Sequence, residues 1–296
     1  MAKTREIKKR IKAVGNIRRI TKTMQMIATS KFARAQQAAT ATKPYTEGLF
    51  GLVTELAATA GDVRHPLING SDNVEPGAKE IVLVITSDRG LCGPYNASIL
   101  RTFMNLLRTT GGKDGAGNIE LVGKKGAGFL RYNGIPVAKQ HAIGDKPSFE
   151  TIANLAAEYM SRFTSGQITG VKVVFMKFHS AGRQSPEVMQ LLPLKPPSKA
   201  GKDGGGAGST AMQYDFSPNA TELLGDLLPE TVKATLFQVF NDAIVSEHVA
   251  RMVAMKAATD AAGKMRKLYT RDYNRARQAQ ITTELSEIIA GAAALG

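Results

Sequence analysis

Residues 232–257, VKATLFQVFNDAIVSEHVARMVAMKA, set Val232, Leu236, Val239, Ala243, Ser246, Ala250, Val253 and Ala257 at alternating steps of four and three. That pattern is a heptad seam, the mark of a helix that packs lengthwise on another helix. The seam residues shrink along the chain, so a partner helix can come close beside Ala243, Ser246 and Ala250. Leu268, Ile281, Leu285, Ile288 and Ile289 carry the apolar content onward, and Gly291 is predicted to end the helix as a C-terminal cap. The terminal helix so predicted spans roughly 90 Å at the helical rise per residue.

The amino-terminal stretch answers it. Ile7, Ile11, Val14, Ile17, Ile20, Met24 and Ile27 recur at spacings of three and four and mark one helical face. The helix is expected to run from Thr4 to about Ala58, on the order of 80 Å. Pro44 is expected to bend it or to start a new segment, because proline lacks the amide donor and crowds the preceding turn. Two helices too long for a compact domain are best satisfied by pairing as an antiparallel coiled coil.

Between them the pattern alternates strand and helix. Strands are predicted at 80–88 (EIVLVITSD), 119–123 and 171–178, with 187–194 as the hairpin partner of the last, and helices at 97–108 and 149–163. The stretch 195–210, KPPSKAGKDGGGAGST, has the composition of a flexible loop. The fold class is therefore α/β plus a long antiparallel coiled coil. Its parts are an N-terminal coiled-coil helix at 1–58, a central α/β domain at 59–220 and a C-terminal coiled-coil helix at 221–296.

Charge is concentrated at one end. Of the net +14, residues 1–43 carry twelve Lys and Arg against Glu6 alone, while 44–229 carry eighteen bases against seventeen acids. A field placed this way faces an anionic partner: an acidic protein surface, nucleic acid or lipid headgroups. No apolar run reaches the ~18 residues that span a bilayer, and MAKTREIKKR has no apolar segment following its charges. The basic terminus has the composition of a mitochondrial presequence, but the helical pattern runs through it without a break. The single cysteine, Cys92, excludes an internal disulfide framework and suits a reducing compartment.

Motifs for chemistry fail on inspection. GKKGAG at 123–128 lacks the GxGxxG order, and GKDGGGAG at 201–208 has Asp203 where a phosphate-binding loop needs Ser or Thr. His65, His141, His179 and His248 lie far apart with no metal-ligand spacing. No GxSxG elbow is present, and Cys92 in DRGLCGPYN reads as a small buried residue in a tight turn. No catalytic residue, cofactor or metal is called for. After Glu287 the chain reads IIAGAAALG, without a charge; this tip either enters an apolar surround supplied by another protein or packs on its own partner helix.

Three stretches, ITKTMQMIATSKF at 20–32, SDRGLCGPYN at 87–96 and the run from SEHVARMVAMKAATDAAGKM to YNRARQAQITTELSEIIAGAAAL, resemble in order and spacing the gamma subunits of F-type ATP synthases. With the α/β middle, the resemblance covers essentially the whole chain. It implies a shaft of two long antiparallel helices with a Rossmann-like domain at its base. It further implies a non-catalytic central rotor that couples proton-driven rotation to ATP synthesis or hydrolysis. The partners implied are the alpha and beta subunits, the epsilon subunit and the membrane c-subunit ring, with one copy per complex at the cytoplasmic face of a bacterial inner membrane. By the family pattern, contacts with the moving beta-subunit loops fall on Arg251, Gln278 and Thr282, with Met24 and Lys31 on the facing stretch. Pro94 replaces a residue that is often Gly or Ser, 201–208 looks like an insertion, and the cysteine pair of chloroplast members is absent.

Two other classes compete. A nucleic-acid-binding coiled coil would use the basic helix to track phosphates, but Phe32 is its only aromatic before Tyr45 and its apolar stripe is committed to a partner. A basic amphipathic helix lying on a membrane is the third reading. Co-purified alpha and beta subunits, salt-eluted nucleic acid, or lipid distinguish the three.

Overall fold

The computed structural model describes residues 2–59, 65–70, 74–110, 118–194 and 220–295. The predicted loop 195–210 lies outside them. Two long helices, α1 (Ala2–Thr59) and α6 (Ala220–Leu295), flank α2 (Pro66–Asn69), β1 (Ile81–Ile85), α3 (Tyr95–Thr109), β2 (Asn118–Val122), α4 (Lys124–Tyr132), β3 (Lys139–His141), α5 (Phe149–Thr164), β4 (Val171–Ser180) and β5 (Arg183–Leu192). The chain divides into two units. One comprises residues 1–31, 91–93 and 249–296, the other 32–90 and 94–248.

In the first unit α1 and α6 run antiparallel. Thr4 Oγ1 donates to Gln280 Oε1 at 3.0 Å, and the Thr21 and Thr259 hydroxyls are hydrogen-bonded at 2.8 Å. Val14, Thr21 and Ala28 of α1, seven residues apart, are buried, as are Val249, Met255, Thr259 and Ala262 of α6, and Thr21 meets Thr259. Such small residues bring the helix axes close.

This seam differs from the predicted one. Ile17, Ile20 and Ile27 are 52%, 55% and 54% exposed. Steps of three from Val14 rotate around the helix by about 60° each, so they leave a seam that a coiled coil holds to 3.5 residues per turn. On α6 the same drift leaves Val253 and Ala257 outside. Gly291 does not end α6, which continues to Leu295. Residues 281–293 are all exposed, and Thr4 already stands opposite Gln280, so the tip is not covered by α1.

The second unit is built on a five-stranded sheet of order β3-β2-β1-β4-β5, parallel except for the β4–β5 hairpin. This is the 3-2-1-4-5 order of doubly wound folds. All five residues of β1 are buried, as a central parallel strand requires. Ile81, Leu83 and Ile85 join a core with Val53 and Leu56 of α1, Ile152, Tyr159 and Phe163 of α5, and Leu228, Val232, Leu236 and Phe240 of α6. Each such side chain contributes about 1.5–3 kcal/mol on burial. Here Thr42 Oγ1 donates to Gln238 Oε1 at 2.9 Å, so α1 and α6 pair antiparallel in this unit too. Pro44 does not start a new segment: α1 is unbroken from Ala2 to Thr59. The predicted strands and helices are present within a few residues. Missing from the prediction were α2, α4 and β3. Their sequences, PLIN, KKGAGFLRY and KQH, are short, glycine-rich or polar and carry no readable period.

Glu120 on β2 is a buried carboxylate at the centre of a network. It accepts from His141 Nε2 at 2.6 Å, Tyr159 Oη at 2.8 Å and Arg162 at 3.1 Å. Burial by itself would push this carboxyl up, but the hydrogen bonds from His141, Tyr159 and Arg162 hold it below its ordinary value. The same network keeps the Tyr159 hydroxyl protonated: burial, then the Glu120 charge, push it far up. Asp242 on α6 is the opposite case. Burial pushes it up to about 6, opposed by the hydrogen bond from Gln238 and by Lys177 and Lys43.

The signs of the two pH effects are therefore opposite. Glu120, depressed in the fold, contributes stability that is present above 4.5 and lost as the pH falls below it. Glu120→Gln is expected to cost about 3–5 kcal/mol at pH 7 and to flatten the acid limb of a melting-temperature profile. Asp242, raised from 3.8 to about 6, is protonated in the fold at low pH, and stability is lost as the pH rises through about 6. Asp242→Asn is expected to raise the melting temperature at pH 8 and leave it unchanged at pH 4.

Candidate partner-binding surface

In doubly wound folds, ligands bind beyond the carboxyl ends of the strands. In this chain the turn from β2 to α4 is filled from within. Asp88 Oδ1 accepts from the Lys124 amide at 3.1 Å, the Ser87 carbonyl accepts from the Lys125 amide at 3.1 Å, and Thr86 Oγ1 accepts from the Gly126 amide at 3.0 Å. The amides that would cradle a phosphate are thus already bonded. Gly123 has φ +96°, and a Cβ there would lie 2.2 Å from the Thr86 carbonyl oxygen. At Gly126 a Cβ would lie 2.7 Å from Thr86 Oγ1 and 2.8 Å from Leu121. The two glycines serve the close approach of helix to strand. The space left beside Thr86, Tyr95, Phe240 and His248 is ≈ 30 Å³, room for about one water.

The SDRGLCGPYN turn is likewise held by its own groups. The Asn96 carboxamide bonds the Ser87 amide at 3.0 Å and the Ser87 hydroxyl at 2.8 Å, and Ser87 Oγ donates to the Arg89 carbonyl. Pro94 caps α3 with φ −80°, a position where its missing amide costs nothing. Cys92 is buried, as the turn reading expected. Among the described residues, no three His, Cys, Asp or Glu side chains gather where they could hold a metal ion.

The five residues singled out for partner contact all belong to the helix pair of the first unit. Met24, Lys31 and Arg251 are half-buried, and Gln278 and Thr282 are exposed. The register set by Thr21 and Thr259 puts Lys31 at about the level of Arg251, with Met24 two turns away. Gln278 and Thr282 form a separate group. Thr282 Oγ1 donates to the Gln278 carbonyl at 3.0 Å, and the pair lies some 40 Å along α6 from Arg251. The structure therefore places the five candidates in two groups along the helix pair, not in one cluster.

Outside the tip after Glu287, sequence reasoning assigned most of the apolar side chains around them to the interior of the pair, and their exposure is the finding. Met26, together with Ile17, Ile20 and Ile27, is exposed on α1, as are Val253, Leu268, Leu285, Ile288 and Ile289 on α6. Their signal was the phase of the seam: apolar residues off the seven-residue repeat of Val14, Thr21 and Ala28 have no partner within the pair. Exposed apolar residues in such number mark a surface for other proteins.

A helix pair with an uncovered apolar and basic surface, together with an α/β unit whose crevice is filled by its own residues, defines a protein that works through partner surfaces. A family model described as ATP synthase matches residues 3–295. An ATP synthase gamma chain of Rhodopirellula baltica is 39% identical over 301 residues, covering 100% of this chain and 99% of that one. One from Leptospira biflexa is 37% identical over 296 residues, covering both completely. The chain belongs to the ATP synthase gamma chain family. Its fold is also that of a solved rotor of the Euglena gracilis mitochondrial ATP synthase, with TM-score 0.64 at 17% identity, covering 95% of this chain and 99% of that one.

Gly123→Ala is expected to destabilise the α/β unit by at least about 3 kcal/mol, since both backbone strain and a clash with the Thr86 carbonyl oppose it. The check is thermal denaturation followed by circular dichroism.

Proposed function

We propose that this chain is the central rotor shaft of an F-type ATP synthase. It couples proton-driven rotation of a membrane c-subunit ring to ATP synthesis or hydrolysis in a surrounding hexamer of alpha and beta subunits. It carries no active site of its own and is present once per complex. Residues 59–220 form the base, which meets the epsilon subunit and the ring. The complex holds it peripherally at the cytoplasmic face of a bacterial inner membrane; among the described residues no helix is long and apolar enough to cross one.

The observation that carries this reading is the uncovered surface of the helix pair, apolar at Ile17, Ile20, Ile27, Leu285 and Ile288 and basic along α1. The uncharged tip after Glu287 is exposed as far as Ala293, which favours insertion into an apolar surround over packing on α1. Met24, Lys31 and Arg251 are proposed to touch the moving beta-subunit loops at one level, and Gln278 and Thr282 at another. Exposed charge pairs are worth about 0–1 kcal/mol each and weaken with salt. A shaft needs contacts of that size. They bias a neighbour's conformational equilibrium as the shaft turns without holding one angular position.

Reconstitution with alpha, beta and epsilon subunits and the membrane sector tests this. Lys31→Glu with Arg251→Glu is expected to reduce ATP-driven proton pumping several-fold while ATP hydrolysis persists, because two favourable contacts become repulsive. Pumping and single-molecule rotation that match the unaltered chain in torque and rate would remove these residues from the coupling surface.

A further inference from the structure

Beside the buried Thr21–Thr259 contact, α1 and α6 enclose a groove of ≈ 480 Å³. Arg18, Arg19 and Lys22 line it from α1, Lys256 and Arg266 from α6, and Asp260 is the one carboxylate among its lining residues. Among the described residues none of these six takes part in an ion pair. Only Arg19 has a side-chain acceptor, Asn16 Oδ1 at 3.5 Å. Five cations around one groove repel one another, and a bound polyanion would relieve that repulsion.

One glycine lies in the groove wall, and a second faces Arg18 from α6. Gly15 lines the groove, and a Cβ built there meets nothing within 4 Å. Glycine within a helix costs about 1 kcal/mol relative to alanine, and packing of the pair gives no reason for it here. At Gly263 a Cβ would come 3.6 Å from Arg18 Nε, an ordinary van der Waals distance, so the Arg18 side chain lies against α6 at this level. Guanidinium groups present planar forks that match phosphate oxygens, and ammonium groups add point charge.

We propose that this groove binds a condensed phosphate, either pyrophosphate or the polyphosphate chain of a nucleotide, with Arg18, Lys22 and Arg266 as its principal donors. The site adjoins the proposed contact at Met24, which lies between the lining residues Lys22 and Gln25, and stands apart from those at Gln278 and Thr282 and from the filled crevice of the α/β unit. The ligand's charge satisfies the five cations, and its length suits a groove that runs along both helices and not a single point.

Isothermal titration of the full chain with sodium pyrophosphate, and separately with ATP, at fixed ionic strength, tests the assignment. One saturable site per chain is expected for each, with adenosine silent. Arg18→Gln with Arg266→Gln is expected to weaken binding about tenfold or more, the worth of one or two hydrogen bonds to a charged group. Gly15→Phe keeps every charge but fills the groove, and is expected to weaken binding comparably. Lys8→Gln with Lys9→Gln removes the same charge from α1 outside the groove, and is expected to change affinity by less than about twofold. The assignment is overturned by absence of saturable binding, by equal losses in the groove and control variants, or by a Gly15→Phe chain that binds normally. Tighter binding of a polyglutamate peptide than of pyrophosphate would also overturn it, by giving the groove to an acidic protein segment.

Discussion

Close antiparallel packing of α1 on α6 is the constraint from which the rest follows. Neither helix has enough burial within itself to stand alone in water, and their contact is made by side chains small enough to bring two backbones together: Ala28, Thr21, Thr259 and Ala262. Small residues at the interface leave the larger isoleucines and leucines of the same helices on the outside. The interior of the pair and its exposed apolar surface are thus two results of one choice of side chains.

The α/β unit uses α6 differently. Between Val232 and Val249 nearly every side of the helix is buried, against the sheet, α5 and α1. Beyond Val249 only a narrow stripe is. One continuous helix therefore changes from a core element to half of a pair, and its heptad seam changes phase at the transition. The doubly wound sheet keeps its strand order but not a ligand crevice, since Thr86, Ser87 and Asp88 bond the amides at the start of α4.

Much of this was legible in the residues. The heptad residues from Val232 to Ser246 are buried, but within the α/β core against the sheet and α5 as well as α1, and not along a seam on one partner helix alone. Strand β1 was clear, since five consecutive apolar β-formers between polar ends suit a central parallel strand. The three turn and tail motifs led directly to the family. The candidate contact residues Met24, Lys31, Arg251, Gln278 and Thr282 came from that resemblance alone; Met24 and Arg251 by residue type are ordinary helix positions.

What the sequence by itself determined is the existence of two long helices, their mutual pairing and the α/β character of the middle, because local periodicity and strand propensity act through neighbouring residues. Only the tertiary structure decided which face of each helix turns inward. At Ile17, Ile20 and Ile27 hydrophobicity argues for burial, yet the width of the partner and the seven-residue phase put Thr21 and Ala28 there instead. It also decided that Glu120 is buried, since its three donors come from β3 and α5, twenty-one to forty-two residues away in the chain. A carboxylate's partners at that distance are set by topology, which no local pattern encodes.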